Sequence, residues 1–124
     1  MQITHVGRVI VPVSDQDEAI AFYTNKLGFS LAADVPFGDG ERWVEVAPPS
    51  GGAAIALTPP QGEYQPGRTT GIALTSADPR ADYDELKANG VDVDAELMGG
   101  DGTVPLLFFF RDQDSNQLMI VAEQ

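Results

Sequence analysis

The first half of the chain has a hydrophobic pattern that predicts one strand, one helix and three further strands. The β-branched run 8–13 has the continuous apolar character of a buried strand. In segment 14–28 apolar residues recur at helical spacing, Ser14 or Asp15 can serve as the N-cap, and Gly28 stands where a helix end is expected. Three strands separated by turn residues are predicted after it, at 29–35, 42–47 and 53–58.

The second half repeats this order after a Pro- and Gly-rich run at 59–68 that suits neither helix nor strand. A strand is predicted at 70–77, followed by a helix at 78–90 with Asp78 as N-cap and Pro79 as its first residue. The remaining strands are predicted at 91–98, 104–110 and 116–123.

The two halves can be superimposed as an internal repeat. Asp15 falls on Asp78 and Gly28 falls on Gly90, and each half has the order β-α-β-β-β. A single unit of this kind would leave half of a sheet exposed, so it requires the second unit to complete the fold. The sequence therefore predicts a single α+β domain, residues 1–124, with a first βαβββ module at 1–58, a linker at 59–69 and a second module at 70–124.

Composition narrows the class of protein. A chain of 124 residues with 43% hydrophobic residues is long enough for one domain with its own core. The absence of cysteine excludes disulfides, thiolate nucleophiles and cysteine-type zinc sites. No stretch resembles a signal peptide or a membrane span, so we expect a cytoplasmic protein.

The charge balance bears on the partners. A net charge of −12 disfavours nucleic acids and anionic membranes, because both bind clustered cations. A cationic small molecule is the partner that such a charge attracts. The same charge also serves solubility.

Two motifs resemble those of the vicinal oxygen chelate superfamily, which includes glyoxalases, bleomycin and fosfomycin resistance proteins, and extradiol dioxygenases. They are VSDQDEAIAFYTNKLGF at 13–29 and FRDQDSN at 110–116. The resemblance implies the glyoxalase/bleomycin resistance fold, in which two βαβββ modules form a curled mixed β-sheet cleft. It also implies a homodimer and, in the enzymes of the superfamily, a divalent metal held by three or four side chains on strands.

The metal-ligand positions implied by the resemblance hold no metal ligands in this sequence. They fall on Arg8, Ala56, Gly71 and Met119. We therefore expect no metal cofactor. The acidic turn that precedes Met119 is then explained by hairpin chemistry, in which Asp112, Asp114, Ser115 and Asn116 accept backbone N–H bonds and tolerate turn dihedrals.

An alternative divalent-metal site would have to use His5, the only histidine, together with Glu45. His5 lies three residues before Arg8, so on a regular strand the two side chains face opposite sides unless a bulge intervenes. One imidazole and one carboxylate do not form a selective metal site.

The cleft can instead bind a small molecule directly. Small residues leave volume, Trp43 can stack on a flat ligand, and Met119 can adapt to its shape. Arg8 can either hold an anionic group of a ligand or pair with Glu45. One face of strand 104–110 packs on a helix and the other lines the cleft or a dimer interface. The candidate ligand-binding residues are Arg8, Trp43, Glu45, Ala56, Gly71, Phe108, Phe110 and Met119.

Three classes of function are compatible with these residues: a binding protein, an enzyme and an accessory subunit. The first is a metal-independent protein that binds, and by binding sequesters, a cationic or aromatic compound. The alternative is a metal-dependent lyase, isomerase or dioxygenase with unusual ligands, and a metal-free enzyme with Glu45 as base beside Arg8 also stays open. The third is an accessory subunit whose cleft is occluded. The ligand and the occurrence of any reaction are not identified by the sequence.

Overall fold

The computed structural model describes all 124 residues and divides them into two compact units, Met1–Pro66 and Gly67–Gln124. The boundary between the units falls inside the segment 59–69. Each unit contains one helical segment and one four-stranded mixed sheet. None of the helices is long and apolar enough to cross a membrane.

The first unit is a βαβββ module. Its sheet has the order β1-β4-β3-β2, with β1 parallel to β4 and the other neighbours antiparallel. Its elements are β1 (Arg8–Pro12), α1 (Gln16–Ala21) with a π-helical continuation (Phe22–Lys26), β2 (Ser30–Pro36), β3 (Arg42–Ala47) and β4 (Ala54–Thr58).

The second unit repeats this topology. Its sheet has the order β5-β8-β7-β6, with β5 parallel to β8. Its elements are β5 (Thr69–Ser76), α2 (Pro79–Ala88), β6 (Asp92–Val93), β7 (Leu107–Arg111) and β8 (Gln117–Ala122). The predicted α+β class with two βαβββ modules is confirmed.

Both helices begin at the predicted aspartates. The Asp15 side chain accepts a hydrogen bond from the Glu18 N–H at 3.0 Å, so Asp15 and not Ser14 is the N-cap of α1. The Asp78 side chain accepts from the backbone N–H three residues later at 3.1 Å, and α2 starts at Pro79 as predicted. Gly28 has a φ of 74°, the left-handed conformation in which glycine ends a helix without a steric penalty.

The core of the first unit lies between its sheet and α1. Alternate residues of β3 point toward the helix, and Val44 and Val46 are fully buried as predicted. Ala19 and Tyr23 cover this face from the helical segment and are fully buried too. Gln16, at the start of α1, donates to the main-chain carbonyls of Arg42 and Leu57 at 3.0 and 2.9 Å, which ties the helix to β3 and β4.

The core of the second unit uses Phe108 and Phe110, and both are fully buried. The ring of Phe108 meets that of Tyr83, on α2, edge to face with 5.2 Å between centroids. Phe109 is paired with Met119 on the opposite face of the sheet. The assignment of Phe108 and Phe110 to a ligand-binding face was therefore wrong, because these two rings occupy the helix-facing side of β7.

The strand predicted at 91–98 was largely wrong, since only Asp92–Val93 pairs with β7. Two side chains satisfy backbone groups that a longer strand would use. The Asp94 carboxylate accepts from the Phe109 N–H at 3.0 Å, and the Tyr83 hydroxyl donates to the carbonyls of Asp94 and Ala95. Strand pairing then returns only as a single bridge between Met98 and Leu107.

The acidic turn between β7 and β8 is closed by its own side chains. Asp112 accepts from the backbone N–H groups of Asp114 and Asn116 at 2.9 and 3.0 Å. Asn116 is fully buried and accepts from the N–H groups of Gly67 and Arg68. Ser115 adopts a φ of 61°, the turn conformation predicted for it. The interpretation of Asp112 as a hairpin acceptor is confirmed, whereas Asn116 accepts its backbone N–H bonds from Gly67 and Arg68, which lie outside the hairpin.

Candidate functional site

Four of the predicted site residues lie on one face of the first sheet, the face turned away from α1. Glu45 and Ile10 are both register partners of Ala56, on opposite sides of β4, and partners on neighbouring strands point to the same side. Trp43 lies two residues before Glu45 and therefore shares that face, as does Arg8, two residues before Ile10.

Glu45 is the acceptor that links two of these side chains. Its Oε2 atom accepts from Nε of Arg8 at 3.0 Å and from the indole Nε1 of Trp43 at 2.6 Å. The side chain of Glu45 is 12% exposed and that of Arg8 is 56% exposed. The sequence left open whether Arg8 pairs with Glu45, and the structure contains this pair. Its consequence is that the indole ring of Trp43 is held in one orientation.

A pocket of about 580 Å³ lies beside Trp43 within the first unit. The pocket reaches the loop before β3 and the segment after β4, so that it is built on one edge of the same sheet face. Its apolar and aromatic lining comes from Ile10, Phe37, Trp43, Pro59, Pro60 and Tyr64.

Aromatic rings form two walls of this pocket. The rings of Phe37 and Trp43 lie 5.6 Å apart between centroids and are tilted by 55°. Tyr64, which also lines the pocket, belongs to a turn from Gln61 to Tyr64 that is closed by two backbone hydrogen bonds of 3.0 and 2.9 Å. The Tyr64 hydroxyl donates to the main-chain carbonyl of Ile10, which holds this turn against β1.

Two charged side chains border the pocket. Arg42 is engaged by two carboxylates: its Nε and Nη2 donate to Asp34 at 3.1 and 2.8 Å, and its Nη1 lies 3.0 Å from Asp17. The hydrogen bonds from Arg42 lower the pKa of Asp34, and those to Asp34 and then Asp17 raise the pKa of Arg42. Glu41, the other charged residue of the lining, makes no ion pair.

The residues present do not fit a divalent metal of the superfamily type. In the first unit the positions implied as metal ligands by the superfamily resemblance are occupied by Arg8, whose guanidinium cannot bind a metal ion, and by Ala56. In the second unit they hold Gly71 and Met119. No three His, Asp or Glu side chains lie close enough together to hold a metal ion. His5 is exposed, lies outside the strands and hydrogen bonds through Nδ1 to the Thr4 hydroxyl at 2.8 Å.

The second unit presents a different surface on its corresponding sheet face. Phe109 and Met119 lie there side by side as register partners. Arg111, also on this face, donates to Asp94 at 2.8 Å and to Asp92 at 3.0 Å. The hydrogen bond from Arg111 lowers the pKa of Asp92, and Asp92 in turn raises the pKa of Arg111.

Gly71 lies at an irregularity of β5, because the pairing with β8 shifts between Thr69 and Ala73. Its φ of 75° is disfavoured for any other residue. Gly71 is exposed, and Met119 is partly exposed. Strand alternation predicted that Gly71 faces the cleft, but the bulge interrupts the alternation at this residue. The sequence pattern does not reveal the position of the bulge.

Ala56 needs a correction as a ligand-contacting residue. Ala56 lies on the predicted face but has no exposed surface, so it cannot contact a ligand in this structure. The same is true of Phe108 and Phe110. Sequence reasoning also missed two aromatic residues of the pocket, Phe37 and Tyr64. Their only signal was a large aromatic ring among turn-forming residues, in the loop 35–43 and in the supposed linker.

A profile of the Glyoxalase/Bleomycin resistance protein/Dioxygenase superfamily matches residues 2–120. The uncharacterised protein YetH of Bacillus subtilis (strain 168) is 32% identical over 123 residues, which cover 95% of this chain and 98% of YetH.

Two solved structures are similar over the whole chain. TnmS3, an antibiotic binding protein from Streptomyces sp. CB03234, is 34% identical with a TM-score of 0.86, over 100% of this chain and 99% of TnmS3. A superfamily member from Sphaerobacter thermophilus DSM 20745 is 31% identical with a TM-score of 0.89, over 99% of this chain and 100% of that protein. This chain therefore belongs to the glyoxalase/bleomycin resistance protein/dioxygenase superfamily.

Proposed function

We propose that this protein is a metal-independent small-molecule-binding protein that sequesters a cationic or aromatic compound. The observation that carries the proposal is the pocket of the first unit, in which Phe37, Trp43 and Tyr64 surround a volume of about 580 Å³. Small-molecule sites usually have volumes of about 300–1,000 Å³ and apolar walls with a few polar groups. The pocket has this size and this lining.

The aromatic walls favour a flat guest. The Trp43 indole is held by Glu45 and is tilted against the Phe37 ring, so two aromatic rings already stand at the pocket wall before a ligand arrives. Stacking on aromatic rings stabilises planar molecules beyond the burial of their apolar area. A side chain that is already ordered also loses less conformational entropy on binding.

The similarity to TnmS3, which is described as an antibiotic binding protein, supports binding rather than chemistry. The two proteins are 34% identical and align over nearly their full lengths. We propose that the present chain likewise binds a small molecule, and that this binding sequesters the compound.

Binding without a metal is supported by the residues at the superfamily ligand positions. Arg8 cannot ligate and is bonded to Glu45, while Ala56, Gly71 and Met119 offer no hard-metal ligand. The proposal also includes the expectation that the protein is a cytoplasmic homodimer. Sedimentation equilibrium of the untagged protein and fractionation of its native host test that part separately.

A neutral planar dye tests the proposed function. Acridone titrated into the protein should quench or shift the fluorescence of Trp43, the only tryptophan, and calorimetry should give about one site per chain. Addition of a chelator should leave the affinity unchanged. Phe37→Ala should weaken binding by about tenfold, the effect of removing one stacking ring and its buried area.

Leu31→Ala is the matched control for that variant. Leu31 and Phe37 are both exposed apolar side chains, at 47% and 60%, but only Phe37 lines the pocket. Equal affinities of the Phe37→Ala and Leu31→Ala variants would show that binding occurs elsewhere. Loss of acridone binding on removal of metal would contradict metal independence.

A further inference from the structure

The two charged residues that line the pocket differ in their ion pairing, because Arg42 is paired with carboxylates and Glu41 forms no ion pair. Glu41 and Arg42 are neighbours in sequence and both line the pocket. An arginine at a pocket ordinarily attracts carboxylates and phosphates through its five N–H donors. Here the availability of those donors decides whether an anion can bind.

Arg42 is already paired with two carboxylates of its own unit. Asp34 takes two of its nitrogens in a bidentate pair, and Asp17 takes the third at 3.0 Å. The main-chain carbonyl of Arg42 also accepts a hydrogen bond, from the side chain of Gln16, the residue of α1 that precedes Asp17. Two carboxylates against one guanidinium leave this cluster with a net negative charge, so an anionic ligand meets repulsion rather than a free cation.

Glu41 is in the opposite situation, because its carboxylate is exposed and has no cationic partner. The loop fixes its main chain, since the Phe37 N–H donates to the Glu41 carbonyl at 2.9 Å across the turn that contains Gly38 and Gly40. This bond also keeps Glu41 close to Phe37, whose ring forms a pocket wall. A carboxylate beside aromatic faces is the arrangement that favours a cationic ring system, through ion pairing and cation–π attraction.

We propose that the pocket selects planar cations, with Glu41 as the specificity-determining counter-ion, because the pairing of Arg42 with Asp34 and Asp17 leaves no net positive charge to attract an anion. The proposal rests on the proposed function, because it concerns the same pocket. It goes further in joining flatness and positive charge in one ligand class, a protonated aromatic amine or ring-nitrogen cation. It also assigns that selectivity to one side chain rather than to the overall charge of the chain.

Three tricyclic probes of similar shape test the inference: proflavine as the cation, acridone as the neutral molecule and anthracene-9-carboxylate as the anion. The parent protein should bind proflavine more tightly than acridone and bind the carboxylate most weakly. Glu41→Gln should reduce the ratio of proflavine affinity to acridone affinity by about three- to fivefold, as expected for a partly exposed charge pair. The preference should also decline as salt is raised.

Asp39→Asn is the matched control, because Asp39 lies two residues from Glu41 on the same turn but does not line the pocket. It removes the same unit of charge and should leave the affinity ratio of the two probes unchanged. An equal fall of the ratio in Asp39→Asn and Glu41→Gln would overturn the inference, since the diffuse charge of the protein would then be responsible. Stronger binding of the carboxylate than of acridone would also overturn it.

The two proposals fail in different ways. If none of the three probes binds, or if Phe37→Ala does not weaken acridone, the proposed pocket function is wrong. If acridone binds in the pocket and Glu41→Gln leaves the ratio unchanged, only the cation selectivity is wrong.

Discussion

Replacing Glu45 with alanine should weaken binding in the pocket although Glu45 does not line it. Glu45 accepts from the Trp43 indole at 2.6 Å and from Arg8 at 3.0 Å, and Trp43 is the member of this group that forms a pocket wall. In Glu45→Ala the indole loses its fixed acceptor and can populate other rotamers. Glu45 is therefore a positioning residue, and its effect should pass through Trp43.

The magnitude follows from side-chain ordering. Immobilising a rotamer-rich side chain on binding costs about 0.5–1.5 kcal/mol, which corresponds to a loss of about 2- to 13-fold in affinity. Stability should fall too, because a partly buried N–H without a partner costs about 1–3 kcal/mol. Arg8, with 56% of its side chain exposed, can be hydrated when Glu45 is absent and adds little to that loss.

The assay combines acridone binding with the nuclear magnetic resonance signal of the single indole N–H. In Glu45→Ala this signal should move upfield, as expected for an indole that has lost a charged acceptor, while Glu45→Gln should restore part of the shift and of the affinity. Glu18→Ala removes the same charge from α1 and should change neither quantity.

A double-mutant cycle decides whether the effect passes through the indole. In a Trp43→Phe background the ring has no N–H, so Glu45→Ala should then change the affinity for acridone by less than about 1.5-fold. If Glu45→Ala weakens binding equally in both backgrounds, Glu45 contacts the ligand itself and the positioning argument is refuted.

Three further predictions concern the second unit. Phe108→Ala should lower the free energy of unfolding by about 3–5 kcal/mol in urea titrations and Phe109→Ala by much less, since only Phe108 is fully buried against the helix; equal losses would contradict the face assignment. Asn116→Ala should cost about 2–4 kcal/mol by the same measurement, because two backbone N–H groups lose their acceptor, and a loss below about 0.5 kcal/mol would show that water replaces it. Because Arg111 lowers the pKa of Asp92 from its ordinary 3.8, their pair stabilises the folded state above that pH, and the contribution disappears as the pH falls through the lowered pKa. Asp92→Asn should therefore be less stable than the parent at neutral pH in urea titrations, and the difference should shrink as the pH is lowered below 3.8; a difference that does not change with pH would contradict this assignment.

The elements of the fold were predictable where local chemistry determines them. Asp15, Asp78 and Pro79 define helix starts by hydrogen bonds and dihedral preferences within four residues, so their roles could be predicted from sequence alone. The strand at 91–98 failed for the opposite reason. Its backbone groups are satisfied by the hydroxyl of Tyr83, 11 and 12 residues away, and no local pattern encodes that contact.

The site was predictable in part. Alternation correctly put Trp43 and Glu45 on one face, because a strand's side chains alternate whatever surrounds it. Alternation gives no information about which of two apolar faces meets a helix, so Phe108 and Phe110 were assigned to the wrong side. Tyr64 reaches β1 by a contact across 54 residues, from a segment whose proline and glycine content had suggested a plain linker.

The pair of Arg8 and Glu45 gives a physical argument for the proposed binding without a metal. A carboxylate with 12% exposure requires a nearby positive charge or strong donors to offset its desolvation. In a metal site of the superfamily type, a bound cation supplies that charge. Here the guanidinium of Arg8 supplies it within the same unit, and the second donor is the Trp43 indole. The carboxylate is thereby satisfied by groups that cannot dissociate, and its remaining effect is to orient an aromatic wall. The arginine that disfavours chelation at this position therefore shares its carboxylate partner with Trp43, and the proposed binding of a flat molecule would use the indole ring that this carboxylate orients.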